Sequence, residues 1–111
     1  MKFLILNGPN INMLGIREPE IYGEETYDAL VEKVKEHAEE IGVEVEFFQS
    51  NHEGALIDEI QRAYFSQVDG IVFNPAGYTH TSVALADAVK AVSIPVSYTH
   101  LRAHETPEHL V

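Results

Sequence analysis

Three features of the sequence predict an α/β domain built on a parallel sheet. Short apolar runs recur at residues 2–7, 43–48, 71–73 and 93–96. Stretches with 3.6-residue apolar periodicity separate them. Breaker-rich segments follow the first and third runs, at 7–23 and 74–80. Strands that alternate with helices imply parallel pairing through right-handed crossovers. In such sheets ligands bind beyond the carboxyl ends of the strands, where both breaker-rich loops fall.

The first run, KFLILN, is apolar without alternation and reads as a strand buried on both faces. It stops at the breaker pair Gly8-Pro9. The loop of 8–24 is longer than most connections, which marks it as functional. Thr26 reads as a helix N-cap; Leu30, Val31, Val34, Ala38 and Ile41 form one apolar face, and Gly42 is the C-terminal stop. Residues 43–48 alternate Val-Glu-Val-Glu-Phe-Phe, as a half-exposed strand at a sheet edge would. Ser50 or Asn51 is expected to cap the second helix, with Glu53 in its first turn and Leu56, Ile57, Ile60, Ala63 and Tyr64 on its buried stripe. Asp69-Gly70 turns into the third strand, Ile71-Val72-Phe73, which ends at Asn74-Pro75-Ala76-Gly77. Thr81 or Ser82 opens the third helix, whose apolar residues are Val83, Leu85, Ala86, Val89 and Val92. Ser93-Ile94-Pro95-Val96 starts the fourth strand.

With 111 residues, one domain is expected. The formal charge of −11, from 7 basic and 18 acidic residues, excludes a basic patch for nucleic acid. No apolar run is long enough to span a membrane, and no secretory leader opens the chain. The absence of cysteine excludes disulfides and thiolate chemistry, and fits a reducing, cytoplasmic setting.

An acidic chain that binds a small anion must use a few placed cations. Arg17 is the single Lys or Arg between Lys2 and Lys33, and it shares residues 7–23 with Tyr22 and three Asn. A cation beside a phenol lowers its pKa, so an Arg–Tyr pair supplies a base for a proton alpha to a carbonyl. The competing reading is a surface Arg and a Tyr that packs the loop down; the carboxyl-end position favours the base. Asn10 and Asn12 carry donors and acceptors suited to an oxyanion, although turn chemistry alone explains each. In the second loop Asn74, Gly77, His80, Thr81 and Ser82 lead into a helix N-terminus, which attracts anions; a plain cap with a surface His competes. Asp87, about two turns along that helix, is either a solvated residue or one that reaches a neighbouring subunit. His100 and His104 have i,i+4 spacing but no H-E-x-x-H pattern, so no metal site is expected. A Ser82–His80–Asp87 triad lacks a nucleophile elbow, and no glycine-rich phosphate loop is present.

Asn7-Gly8-Pro9-Asn10, Leu14-Gly15, Arg17-Glu18-Pro19, Ile21-Tyr22-Gly23, Gln49-Ser50-Asn51, Asn74-Pro75-Ala76-Gly77 and His80-Thr81-Ser82-Val83-Ala84 together resemble type II 3-dehydroquinate dehydratase from residue 2 to about 96. The resemblance implies a flavodoxin-like sheet of order 2-1-3-4-5 with helices on both faces, and a homododecamer built from trimers. It implies a lyase of the shikimate or quinate pathway that dehydrates 3-dehydroquinate to 3-dehydroshikimate through an enolate, with no cofactor. By motif position Tyr22 is the base, Arg17 lowers its pKa, and Asn10 stabilises the enolate through a water. Asn74, Gly77 and His80 bind substrate, and Asp87 acts from an adjacent subunit. A non-catalytic flavodoxin-like binding module is the alternative. A receiver domain would need an acidic cluster at strand ends, where Asn7 and Asn74 stand instead.

The resemblance stops after Val96. An acidic residue is expected where Tyr98 stands, two positions before His100, and Ser-Asn is expected where Arg102-Ala103 stands. His100 and Leu101 keep the register, as a candidate general acid and a substrate contact. Residues 96–106 resemble a translated adapter from transposase-based sequencing libraries. The expected division is therefore a dehydroquinase-like domain over 1–96, lacking its final strand and helix, and a non-native tail over 97–111. Such a chain is expected to fold poorly and to have little activity.

Overall fold

The computed structural model describes residues 1–13, 26–78 and 82–99. Strand β1 (Lys2–Asn7) is followed by a 3-10 turn (Ile11–Met13), helix α1 (Tyr27–Ile41), strand β2 (Glu44–Gln49) and helix α2 (Glu53–Phe65). Strand β3 (Gly70–Asn74), a second 3-10 turn (Ala76–Tyr78), helix α3 (Val83–Ala91) and strand β4 (Val96–Tyr98) complete the described elements. The sheet runs β2-β1-β3-β4, with every neighbouring pair parallel. This is the doubly wound α/β arrangement that the sequence predicts. It agrees with the first four places of the flavodoxin-like order, and β2 does lie at an edge.

Local chemistry sets the boundaries of α1. The Thr26 side-chain oxygen accepts the Ala29 N–H at 3.1 Å, and Thr26 itself is extended. Gly42 ends the helix in the left-handed region at φ 75°, where a side chain would be strained. Ser82 caps α3 by accepting the Leu85 N–H at 3.0 Å. The cap of α2 differs from expectation. His52 is the N-cap and makes no side-chain cap bond, because Ser50 Oγ accepts the His52 N–H and Asn51 is engaged elsewhere. Strand β4 pairs from Val96 rather than Ser93. Pro95 has no N–H to give; its carbonyl accepts the Ile71 N–H at 3.0 Å.

Leu4 and Leu6 of β1 lie beside Ile71 and Phe73 of β3, and all four are fully buried. Leu56, Ile60 and Ala63 of α2, with Leu85 and Ala88 of α3 and Val92 after it, cover that face. Phe48 and Tyr98 pack against the same cluster. Helix α1 lies on the other face, where Lys35 sits over the Phe47 ring. Phe3, Ile5 and Val72 on that face are half-buried. Four apolar residues placed on the apolar faces of helices are exposed: Ile41, Tyr64, Val83 and Ala86, with Val83 83% exposed. The first three stand at or near the ends of their helices, where periodicity continues but the sheet no longer lies beneath. No helix among the described residues is long and apolar enough to cross a membrane.

Candidate active site

The chain passes from β1 outward to β2, then back across β1 to β3. The direction of winding therefore reverses between β1 and β3, and such a switch point is where α/β sheets bind ligands. Two asparagines tip the strands there, and Asn7 and Asn74 are register partners. Both are buried, although an amide surrounded by apolar residues is costly unless it is hydrogen-bonded.

Asn74 is 2% exposed. Its Oδ1 accepts the Ala76 N–H at 3.1 Å, which orients the amide and holds Ala76 at φ 52°, an unfavourable backbone conformation for an alanine. Its Nδ2 is buried and has no hydrogen-bond partner among the described residues. An unmatched buried donor costs about 1–3 kcal/mol unless a ligand or water accepts from it. Asn7 Nδ2 donates to the Tyr27 hydroxyl at 3.3 Å. This contact ties the first turn of α1, where the chain returns from residues 14–25, to the tip of β1.

The loops at the carboxyl edge are tied to one another. Gly8 N–H donates to the Asn74 carbonyl at 2.7 Å. A Cβ on Gly8 would lie 2.5 Å from the Pro75 carbonyl oxygen, so only glycine allows this approach. Asn10, at φ 70°, donates its N–H to Asn51 Oδ1 at 3.0 Å. Gln49 Nε2 donates to the Gly8 carbonyl at 3.1 Å and to Asn51 Oδ1 at 3.2 Å. Tyr78 donates its hydroxyl to the Asn51 carbonyl at 3.4 Å, and Ser82 donates to the Glu53 carboxylate. The starts of α2 and α3 are thereby held side by side.

Among the sequence-predicted site residues, Asn10, Asn74 and Gly77 lie together at this edge. Gly77 is exposed in the turn Ala76–Tyr78. Asp87 stands away from it, exposed on α3. Arg17, Tyr22, His80, His100 and Leu101 lie outside the described residues. Asn7, Tyr27, Gln49, Asn51 and Tyr78 join the site although none is among the predicted site residues. The available signals were Asn7 at the end of β1 and the Gln49-Ser50-Asn51 run after an edge strand. No group of three or more His, Asp or Glu is gathered among the described residues.

A doubly wound α/β sheet with a buried amide donor at its switch point, framed by asparagines and glutamine, is the class of domain whose strand ends suit a polar small molecule. Comparison with known proteins specifies it further. The family model for class II dehydroquinase matches residues 1–110. A 3-dehydroquinate dehydratase of Caldicellulosiruptor bescii is 55% identical over 100 residues, 90% of this chain and 69% of the relative. One from Lachnospira eligens is 56% identical over 109 residues, 97% of this chain and 74% of the relative. The crystal structure of the type II dehydroquinase from Butyrivibrio crossotus superposes with a TM-score of 0.84 at 53% identity, over 90% of this chain and 68% of that one. The chain belongs to the class II dehydroquinase family. That membership favours the lyase over a non-catalytic flavodoxin-like module.

Proposed function

We propose that this chain catalyses the dehydration of 3-dehydroquinate to 3-dehydroshikimate, a step of the shikimate pathway. The observation that carries the reading is the buried Asn74 Nδ2, without a partner among the described residues, at the β1/β3 switch point of a class II dehydroquinase. The substrate is a polyhydroxylated carboxylate with a ketone, and an amide-lined site in an acidic protein suits its hydroxyls. Asn74 donates to the substrate, with Gly77, His80 and Leu101 as further contacts.

The reaction removes a proton alpha to the ketone, passes through an enolate, and expels the β-hydroxyl as water. Tyr22 as phenolate takes the proton, and the Arg17 guanidinium keeps that phenol ionisable. Asn10 orients a water that donates to the enolate oxygen. His100 is the candidate acid that protonates the leaving hydroxyl. The position two residues before it supports reduced turnover here. The Tyr98 ring lies tilted at 5.8 Å from that of Phe73 and packs against the core, supplying no carboxylate to orient a histidine.

Assembly as a homododecamer belongs to the same reading, with Asp87 acting across a subunit boundary. Val83, exposed one turn before Asp87, supports a contact on that face of α3. The test is formation of the enone product, followed by ultraviolet absorbance. Arg17→Ala and Tyr22→Phe are each expected to lower kcat by roughly a hundredfold or more. Unaltered turnover in either variant would remove the proposed base.

A further inference from the structure

We propose that Asn51 is a positioning residue that sets the conformation of Asn10, a role that rests on the dehydratase reading of Asn10. Asn51 follows the edge strand β2, yet it touches the loops that leave β1 and β3. Its Oδ1 accepts the Asn10 N–H at 3.0 Å and the Gln49 Nε2 at 3.2 Å. Its carbonyl accepts the Tyr78 hydroxyl at 3.4 Å. Gln49 extends the connection by donating to the Gly8 carbonyl at 3.1 Å.

The residue held at the far end is conformationally selective. Asn10 sits at φ 70°, a left-handed conformation that a lone asparagine adopts without being confined to it. A bond to its own N–H fixes the peptide plane that precedes Asn10, and so the direction in which the Asn10 side chain leaves the backbone. The Asn10 carbonyl accepts the Met13 N–H at 3.0 Å, which fixes the following plane. The Asn51 amide therefore supplies the longer-range restraint on Asn10, and the 3-10 turn supplies the local one.

Asn51 has no evident packing purpose. It is exposed, precedes the helix, and leaves the N-cap position of α2 to His52. A residue that served only stability would gain more by capping α2. Here the side chain turns away from the helix, toward the tip of β1.

The test compares Asn51→Ala with Asn51→Asp, which keeps an oxygen acceptor for both donors. Three quantities are read: hydrogen exchange of the Asn10 amide, steady-state turnover of 3-dehydroquinate, and Tm. Asn51→Ala is expected to speed Asn10 amide exchange roughly fivefold to tenfold and to lower kcat by a similar factor. KM is expected to stay within about twofold, and Tm within about 2 °C. Asn51→Asp is expected to restore both the exchange rate and kcat. Unchanged Asn10 exchange in Asn51→Ala overturns the proposal. So does faster exchange with unchanged kcat, or Asn51→Asp behaving like Asn51→Ala. Absence of turnover in the unsubstituted chain counts against the dehydratase reading, and the exchange comparison then decides by itself whether Asn51 positions Asn10.

Discussion

Gly8→Ala is expected to be the most damaging one-methyl substitution at the site edge. The added Cβ would stand 2.5 Å from the Pro75 carbonyl oxygen, 2.8 Å from its carbon and 3.2 Å from the Asn74 oxygen. All three obstacles are backbone atoms, so no side chain can rotate aside. Relief requires the tips of β1 and β3 to separate, which also stretches the 2.7 Å bond from Gly8 N–H to the Asn74 carbonyl. Overpacking against a fixed neighbour costs about 1–3 kcal/mol, and the backbone obstacle places this substitution toward the upper end. For a domain of this size that lowers Tm by roughly 8–20 °C. Gly54→Ala is the internal control, because nothing lies within 4 Å of a Cβ there and the residue is inside α2. It is expected to be neutral or to stabilise by up to about 1 kcal/mol. Thermal and urea unfolding followed by circular dichroism measure both. A Gly8→Ala protein as stable as its parent would refute the close approach of the two loops, and with it the geometry of the site.

Two further outcomes follow from single contacts. Ser82→Ala removes both the cap of α3 and the bond to Glu53, with an expected loss of about 1–2 kcal/mol in urea unfolding; Ser82→Asp, ordinarily a good cap, is expected to be no better because it faces the Glu53 carboxylate, and adding Glu53→Gln should recover stability. Burial raises the Tyr98 phenol above its ordinary value near 10, so its contribution to stability is complete below about pH 10 and is lost as pH rises through the folded-state value. Tyr98→Phe should therefore flatten the alkaline decline of Tm, and an identical decline in the variant would contradict the burial of that hydroxyl.

Several elements were legible because their causes are local. Thr26 and Gly42 bound α1 through bonds that span three or four residues. The alternating glutamates of β2 mark it as an edge strand, which its place in the sheet bears out. Asn10 and Asn74 stood out because polar residues and breakers follow apolar strands. Local rules failed where a distant partner competed. Asn51 does not cap α2, because its amide is held by Asn10 and Gln49. Ile41, Tyr64 and Val83 obey the helical period yet remain exposed, because period says which residues share a side and not how far the sheet extends beneath it.

The sequence by itself determined the alternation of strands and helices, the parallel sheet that follows from it, and the family through its ordered motifs. Each depends on chemistry between near neighbours or on residue identity alone. Strand order is a property of crossovers that no local pattern encodes; the family resemblance implied β1 between β2 and β3, and only the tertiary structure decided the contacts that this order makes. That order brings Asn7 and Asn74 into register across 67 residues of chain, presses Gly8 against Pro75, and buries the Asn74 amide donor without a partner among the described residues.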